Sequence, residues 1–202
     1  MHTPRTETML PLAETRATRE AFAFLDGVDG LGGPEGAGGI SLFLGPSGCG
    51  KSALLGAYAQ QGCDGRPGAV LFYRTEVVNT PLSLVRSLLG SLGLTWHGST
   101  RGGLDVLELL LAQAGVRMLV VDDAILLARP TLEMLRLLGE RTGVQLVLAG
   151  GSHLLLHLRS RCAPLLKAVR HLHEVAPLTL ADVLALLGPV PGRVWLLFFD
   201  AI

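Results

Sequence analysis

Residues 45–52, GPSGCGKS, constrain this chain more than any other eight. They follow ISLFL, which has the apolar character of a buried strand, and run into ALLGAYAQQ, a stretch of good helix formers. A strand, a glycine-rich loop and a helix, in that order, are the setting in which the pattern G-x-x-x-x-G-K-[ST] cradles phosphate. Gly45, Gly48 and Gly50 let the backbone curl so that successive N–H groups converge on anionic oxygens at the positive end of the following helix. Pro46, Ser47, Cys49 and Ala53 complete the wall of that loop, with Cys49 read simply as a small residue. Lys51 is placed to neutralise β- and γ-phosphates, and the Ser52 hydroxyl to ligate magnesium.

A loop of this kind needs a carboxylate facing it to hold the cation. The run LVVDDAILL, residues 119–127, supplies one about seventy residues later, where an apolar strand stops at two adjacent acids. Asp122 is the expected magnesium partner, through a water. Asp123 either polarises the attacking water or caps the turn that follows. Many ATP-hydrolysing machines carry Glu at this second position. Asp is shorter by one bond, ~1.5 Å, and a misplacement of ~1 Å can cost ~100-fold in rate. Slow hydrolysis, and a nucleotide-gated switch rather than a fast motor, is the expectation.

Around the two motifs, strand-like runs at 40–44, 70–73, 118–121, 144–148 and 172–175 alternate with helical periodicity at 51–61, 81–92, 104–114, 131–141 and 154–169. Such alternation requires crossover connections, hence an α/β fold with a mostly parallel sheet covered on both faces. A lead-in helix is expected over 12–25, ended by the glycine-rich GVDGLGGPEGAGG, and a last helix over 180–187 precedes a Pro/Gly break and the tail RVWLLFFDAI. The chain then divides into a helical lead-in (1–29), a core (30–178) and a residual helix with an apolar tail (179–202). Apolar residues make up 49% and charged residues 17%, ample for one buried core within 202 residues. The apolar runs are interrupted before the ~18 residues of a membrane span, and MHTPRTETML lacks the apolar centre of a signal peptide, so the cytoplasm is the expected location. Three cysteines without CxxC spacing give no disulfide frame or thiolate zinc site.

With these features assembled, the chain resembles AAA+ ATPases, and more narrowly the transposition regulators TniB, TnsC and MuB with the related ExeA-type ATPases, over about residues 12–187. The motifs GPSGCGKS and LVVDDAILL carry the broad resemblance. The narrower one rests on LAETRATREAFAFL, on YRTEVVNTPLSLVRSLLGSLGL, and on TLEMLRLLGERTGVQLVLAGGSHLL followed by RCAPLLKAVRHLHEVAPLTLADV. The resemblance implies a three-layer P-loop NTPase core (AAA+/ASCE) with five parallel strands in the order 5-1-4-3-2, binding ATP and Mg2+. It implies that Ser152, with Gly151 in the other register, touches the γ-phosphate. Arg170, just before the fifth strand, would reach a neighbour's γ-phosphate, with Arg161 as the alternative.

The same resemblance implies self-association into a ring or helical filament, ATP-dependent assembly on double-stranded DNA, and recruitment of a transposase. Arg74, Arg86 and Arg101 would face the DNA. Of the helical lid of such proteins only 180–202 would remain, so the expectation is a lid that is minimal or truncated, with Arg193 a poor stand-in for its sensing arginine. Against this stands a nucleotide-gated signalling or secretion-associated ATPase without a DNA role, a class in which strand-end pairs such as Asp122 and Asp123 also occur; the balance of 17 basic and 17 acidic residues creates no global field for nucleic acid, so a DNA contact would need a local patch.

Other chemistries fit poorly. His153 and His157 stand at i,i+4 and His171 and His173 alternate on a strand, but no carboxylate or cysteine completes a metal spacing. GGPEGAGG does not match a dinucleotide fingerprint, GPSGC does not match a hydrolase nucleophile elbow, and the LSGGQ-type signature of transporter ATPases is missing. The apolar tail is read as core or interface packing.

Overall fold

β1 (Ile40–Leu44) is buried along its whole length because it lies between two other strands of a five-stranded sheet. In this computed structural model residues 15–30, 38–62, 68–77, 79–177 and 179 are described. β2 (Val70–Arg74), β3 (Met118–Asp122), β4 (Gln145–Gly150) and β5 (Val169–Glu174) complete the sheet in the order β2-β3-β4-β1-β5. Read from its other edge this is 5-1-4-3-2, as expected. Every pairing is parallel, so all five strands deliver their C-terminal ends to one edge.

The crossovers are α2 (Lys51–Gln61), the pair α3 (Pro81–Ser91) and α4 (Thr100–Gln113), α5 (Arg129–Thr142), and the pair α6 (His153–Arg161) and α7 (Ala163–Lys167). Alternate residues of β1 show why both faces must be covered. Ile40, Leu42 and Leu44 join the core beneath α3 to α7, whereas Phe43 joins a second core with Leu54, Leu55 and Tyr58 of α2. The second core is roofed by α1 (Arg16–Asp29) through Ala21, Leu25 and Val28. The three layers follow from these two apolar faces.

Several boundaries differ from the sequence expectation, among them α4, which starts at Thr100 rather than Leu104, and three further differences have a clear physical cause. α1 starts at Arg16, capped by the Thr15 hydroxyl accepting from the Thr18 N–H at 3.1 Å, and continues through Gly27 to Asp29. Val28 is buried, and Arg117 donates to the Asp29 carbonyl at 3.0 Å and pairs with its carboxylate at 3.1 Å. That clamp stabilises a last turn which glycine alone would disfavour. The expected helix over 154–169 is two helices, because Pro164 has no N–H to give and its ring clashes with the preceding turn. The fifth strand starts at Val169 rather than Leu172, so Arg170 lies inside β5 and not before it, at a register shift opposite Ile40 and Ser41. The expected helix over 180–187, Arg193, the tail and the start of the lead-in helix lie outside the described residues. Among those described, no helix is long and apolar enough to cross a membrane.

Candidate functional site

The chain leaves β1 at Gly45, whose N–H donates to the Gly150 carbonyl at 3.2 Å and so ties the loop to the end of β4. A side chain at Gly45 would collide: its Cβ would stand 2.9 Å from Cys49 Sγ and 3.1 Å from Val175 Cβ. Gly48 and Gly50 have φ of 80° and 88°, the left-handed region, and Gly50 sits at the N-cap of α2 without a side-chain cap. The first N–H groups of α2 therefore have no side-chain acceptor at that cap and point into the curl of the loop. Lys51 Nζ is drawn into the same curl, donating to the carbonyls of Gly45 (2.9 Å) and Pro46 (2.6 Å), with Cys49 Sγ at 3.7 Å. An ammonium group held by two neutral carbonyls is set to exchange them for anionic oxygens. Ser52, one residue on, is half-buried in the first turn of α2; Pro46 and Ser47 at the tip of the loop and Ala53 are exposed, and Cys49 is buried.

β3 ends two strands away, with β4 between. Asp122 is 1% exposed. Its Oδ1 accepts the Asp123 N–H at 3.0 Å, while Oδ2 is buried with no hydrogen-bond partner. An unsatisfied buried carboxylate oxygen costs about 1–3 kcal/mol or more, and the cost persists unless something cationic or protic meets it. This is the donor expected of a magnesium site, and together with Ser52 it fits a hard cation that prefers oxygen and retains waters. Among the described residues no cluster of three or more His, Cys, Asp or Glu suggests another metal site.

Asp123 has φ 53° and ψ 40°, the only non-glycine residue at positive φ among those described. It holds the N-cap position of a single 3-10 turn, Ala124–Leu126, yet its side chain makes no capping hydrogen bond. The carboxylate turns instead to Arg74, with Nε 3.9 Å from Oδ2. The capping role open to Asp123 from its sequence position is therefore absent. The β2–β3 register places Arg74 opposite Asp122, which brings the guanidinium to the acidic turn. The sequence reading assigns Arg74 to DNA contact. Its place beside Asp123 follows only from the strand register, since the two residues are far apart in sequence.

Ser152 follows β4 by two residues, and Gly150 pairs with Leu44, so Ser152 and Gly151 lie on the loop's edge of the sheet. Ser152 is exposed at the start of α6, its hydroxyl free of any capping bond. Arg170 sits at the opposite edge, its Cδ 3.4 Å from where a Cβ on Gly39 would stand. It is exposed there and lies away from the loop of its own chain. Arg161, the alternative, is exposed at the end of α6. Arg86 and Arg101 are exposed on α3 and α4.

Of the histidines, His157 Nε2 lies 3.3 Å from the Leu127 carbonyl. His173 stacks against both Phe24 and Phe43, with centroids at 5.0 and 5.2 Å, and the two phenyl rings lie 6.2 Å from each other. Burial lowers the His173 pKa from its ordinary 6.5, with Glu20 pulling weakly the other way.

The family model described as an AAA domain matches residues 35–158, more than half of the chain. No curated protein matches. Among solved structures the chain is similar to the Aeropyrum pernix ORC2 protein in its ADP form, at 16% identity and a TM-score of 0.64 over 90% of this chain and 53% of that one. It is likewise similar to Cdc6p from Pyrobaculum aerophilum, at 19% and 0.69 over 90% and 50%, and to Drosophila ORC bound to GC-rich DNA and Cdc6, at 10% and 0.52 over 92% and 70%. Identities this low establish the shared fold. The chain spans about half the length of the first two.

Proposed function

The chain belongs to the AAA domain family, and from that premise we propose that it binds ATP with Mg2+, hydrolyses it slowly, and assembles on double-stranded DNA in an ATP-dependent way to regulate transposition. The observation that carries the nucleotide part is the bare Oδ2 of buried Asp122 on the same sheet edge as the glycine loop. Magnesium bound there would be held by Ser52 and, through water, by Asp122, and would offset charge on the β- and γ-phosphates. The backbone N–H groups of residues 45–53 and Lys51 Nζ bind the phosphates. Ser152 orients the terminal one from the end of β4.

Asp123 acts on the attacking water. Its carboxylate is short, fixed in a left-handed turn and shared with Arg74, three reasons for low turnover. Arg170 or Arg161 completes a neighbour's site, which makes each nucleotide a joint between protomers and leads to rings or filaments. DNA engagement and transposase recruitment rest on the resemblance of the sequence to transposition regulators. A cytoplasmic location accords with that role.

The test measures turnover and assembly together. Large species should form on duplex DNA only with ATP and Mg2+, and Asp123→Glu should raise turnover. A fast wild type that the extra methylene slows would overturn the slow-hydrolysis reading. ATP-driven assembly that ignores DNA would favour the signalling or secretion alternative, for which the strand-end pair Asp122 and Asp123 speaks. A monomer indifferent to both ligands would sink both.

A further inference from the structure

Asp123 stands in a left-handed conformation, φ 53° and ψ 40°, which a non-glycine residue keeps only where its surroundings fix it. Part of the fixing is local. The Asp123 N–H donates to Asp122 Oδ1 at 3.0 Å, the Leu126 N–H to the Asp123 carbonyl at 3.0 Å, and the Leu127 N–H to the Ala124 carbonyl at 3.2 Å. Ala124 and Leu127 are buried in the core beneath α3 to α7. The last two carbonyls of the turn, those of Leu126 and Leu127, are met by side chains from elsewhere in the chain.

Asn79, half-buried in the loop between β2 and α3, donates from Nδ2 to the Leu126 carbonyl at 2.9 Å and to the Glu76 carbonyl at 3.1 Å. Half-buried His157 of α6 lies with Nε2 3.3 Å from the Leu127 carbonyl. A carbonyl only accepts, so the ring carries its proton on Nε2 in this contact. The two side chains are 47 and 30 residues in sequence from the carbonyls they meet, so neither tie belongs to the local turn. Asn79 Oδ1 is buried with no hydrogen-bond partner. An apolar residue of the same size would fill the space without that orphan oxygen, so packing alone does not account for an asparagine here. His157 lies on the helix that opens directly after Ser152. The residue assigned to the terminal phosphate and one tie on the acidic turn therefore share one helix.

We propose that Asn79 and His157 are positioning residues, which hold Asp123 at the attacking water by fastening the Leu126 and Leu127 carbonyls. The inference rests on the role given to Asp123 in the function proposed above and names what sets its geometry. Both ties act on the far end of a turn whose first residue carries the acid, and a rotation of the turn moves that carboxylate. An acid one bond shorter than glutamate has little reach to spare, and a displacement of ~1 Å can cost ~100-fold in rate.

The experiment follows single turnovers of radiolabelled ATP with Mg2+ by the full chain in excess, a format that reads very slow rates. Asn79→Leu keeps the volume and removes both donated bonds; His157→Leu removes the other tie. Each should lower the single-turnover rate at least about tenfold. ATP affinity should change less than about twofold, and the melting temperature by no more than about 4 °C. His157→Gln, whose amide nitrogen can donate in place of Nε2, should return the rate to within about threefold of wild type. In an Asp123→Ala background Asn79→Leu should cost less than about twofold, because the group it positions is gone. An equal loss of rate with and without Asp123 would mean that the ties act elsewhere and would overturn the inference. So would a loss of ATP affinity or of melting temperature that parallels the loss of rate. If both leucine variants turn over as fast as wild type, the ties do not position the acid, and the proposed function stands without them. If the wild type releases no phosphate, or Asp123→Ala is as fast as wild type, the role given to Asp123 fails first and the inference falls with it.

Discussion

The phosphate loop after β1 and the acidic turn after β3 leave the same edge of one sheet but are built from different materials. The loop binds with backbone: its shape is set by glycines that need positive φ or close approach, and Lys51 is held by the loop's own carbonyls. The acidic turn offers side chains, one buried and unsatisfied, the other exposed and shared with an arginine. Backbone geometry tolerates few sequences, so the loop is rigidly specified. Side-chain placement can be adjusted by one neighbour, so on the proposed function the turn is where rate and metal dependence would be tuned.

The largest effect expected from breaking the loop is on nucleotide binding. Lys51→Ala removes the only side-chain cation among the loop residues. Truncating one member of a desolvated, hydrogen-bonded charge pair costs about 2–5 kcal/mol, a loss of roughly a hundredfold or more in affinity, read by titration with a fluorescent ATP analogue. The fold should survive, since the ammonium's partners are carbonyls of an exposed loop.

Gly45→Ala tests the same region through sterics. The added methyl meets Cys49 Sγ at 2.9 Å and Val175 Cβ at 3.1 Å, and overpacking of this kind costs about 1–3 kcal/mol. For a chain of this size each kcal/mol lowers the melting temperature by roughly 2–4 °C. Cys49→Ala in the same chain removes the closer obstacle and should recover part of the loss, a coupling that thermal melts of the four variants would measure. Full additivity would show that the loop moves aside freely and is less specified than argued.

The difference between the regions also explains what was legible. GPSGCGKS could be read because the constraint is local: strand, curl and helix follow one another in sequence. The parallel sheet was legible in the alternation of five apolar runs with helical stretches, but its order was legible only through the resemblance to AAA+ ATPases, which implied it. The pairing of Arg74 with Asp123 was not, since it exists only through the β2–β3 register. The apolar pattern places β5 too late because an edge strand does not bury alternate residues, and Arg170 and His171 hide its start. The extra turn of α1 depends on Arg117, 88 residues beyond Asp29, and no local pattern announces such a clamp.

At the acidic turn the expected change is smaller and its sign is unusual. Asp122→Asn keeps the shape and the acceptor for the Asp123 N–H but discharges an oxygen that has no partner. Without nucleotide the variant should melt no lower than wild type, and higher by about 2–4 °C if the relief is near 1 kcal/mol. ATP affinity should at the same time lose its dependence on magnesium. A functional acid that destabilises its own fold is the expected signature of a site. A clear drop in melting temperature would mean that the carboxylate serves packing, and that the two ends of the edge are less different than they look.

The smallest effect lies away from this edge, where His173 of β5 joins α1 to the sheet through Phe24 and Phe43. Its pKa is lowered by burial, against the opposing pull of Glu20. The unfolded chain therefore binds this proton more readily than the folded one, and the sign follows from linkage. The neutral ring's contribution is complete above the ordinary 6.5 and is lost as pH falls through that value toward the lower folded pKa. Melting temperature should decline from about pH 7 to about pH 5, and decline less in His173→Gln, which cannot take up the charge. The variant isolates one group because every other titrating residue is common to both proteins. Parallel declines would mean that the aromatic stack on this side carries no more selectivity than an ordinary apolar contact.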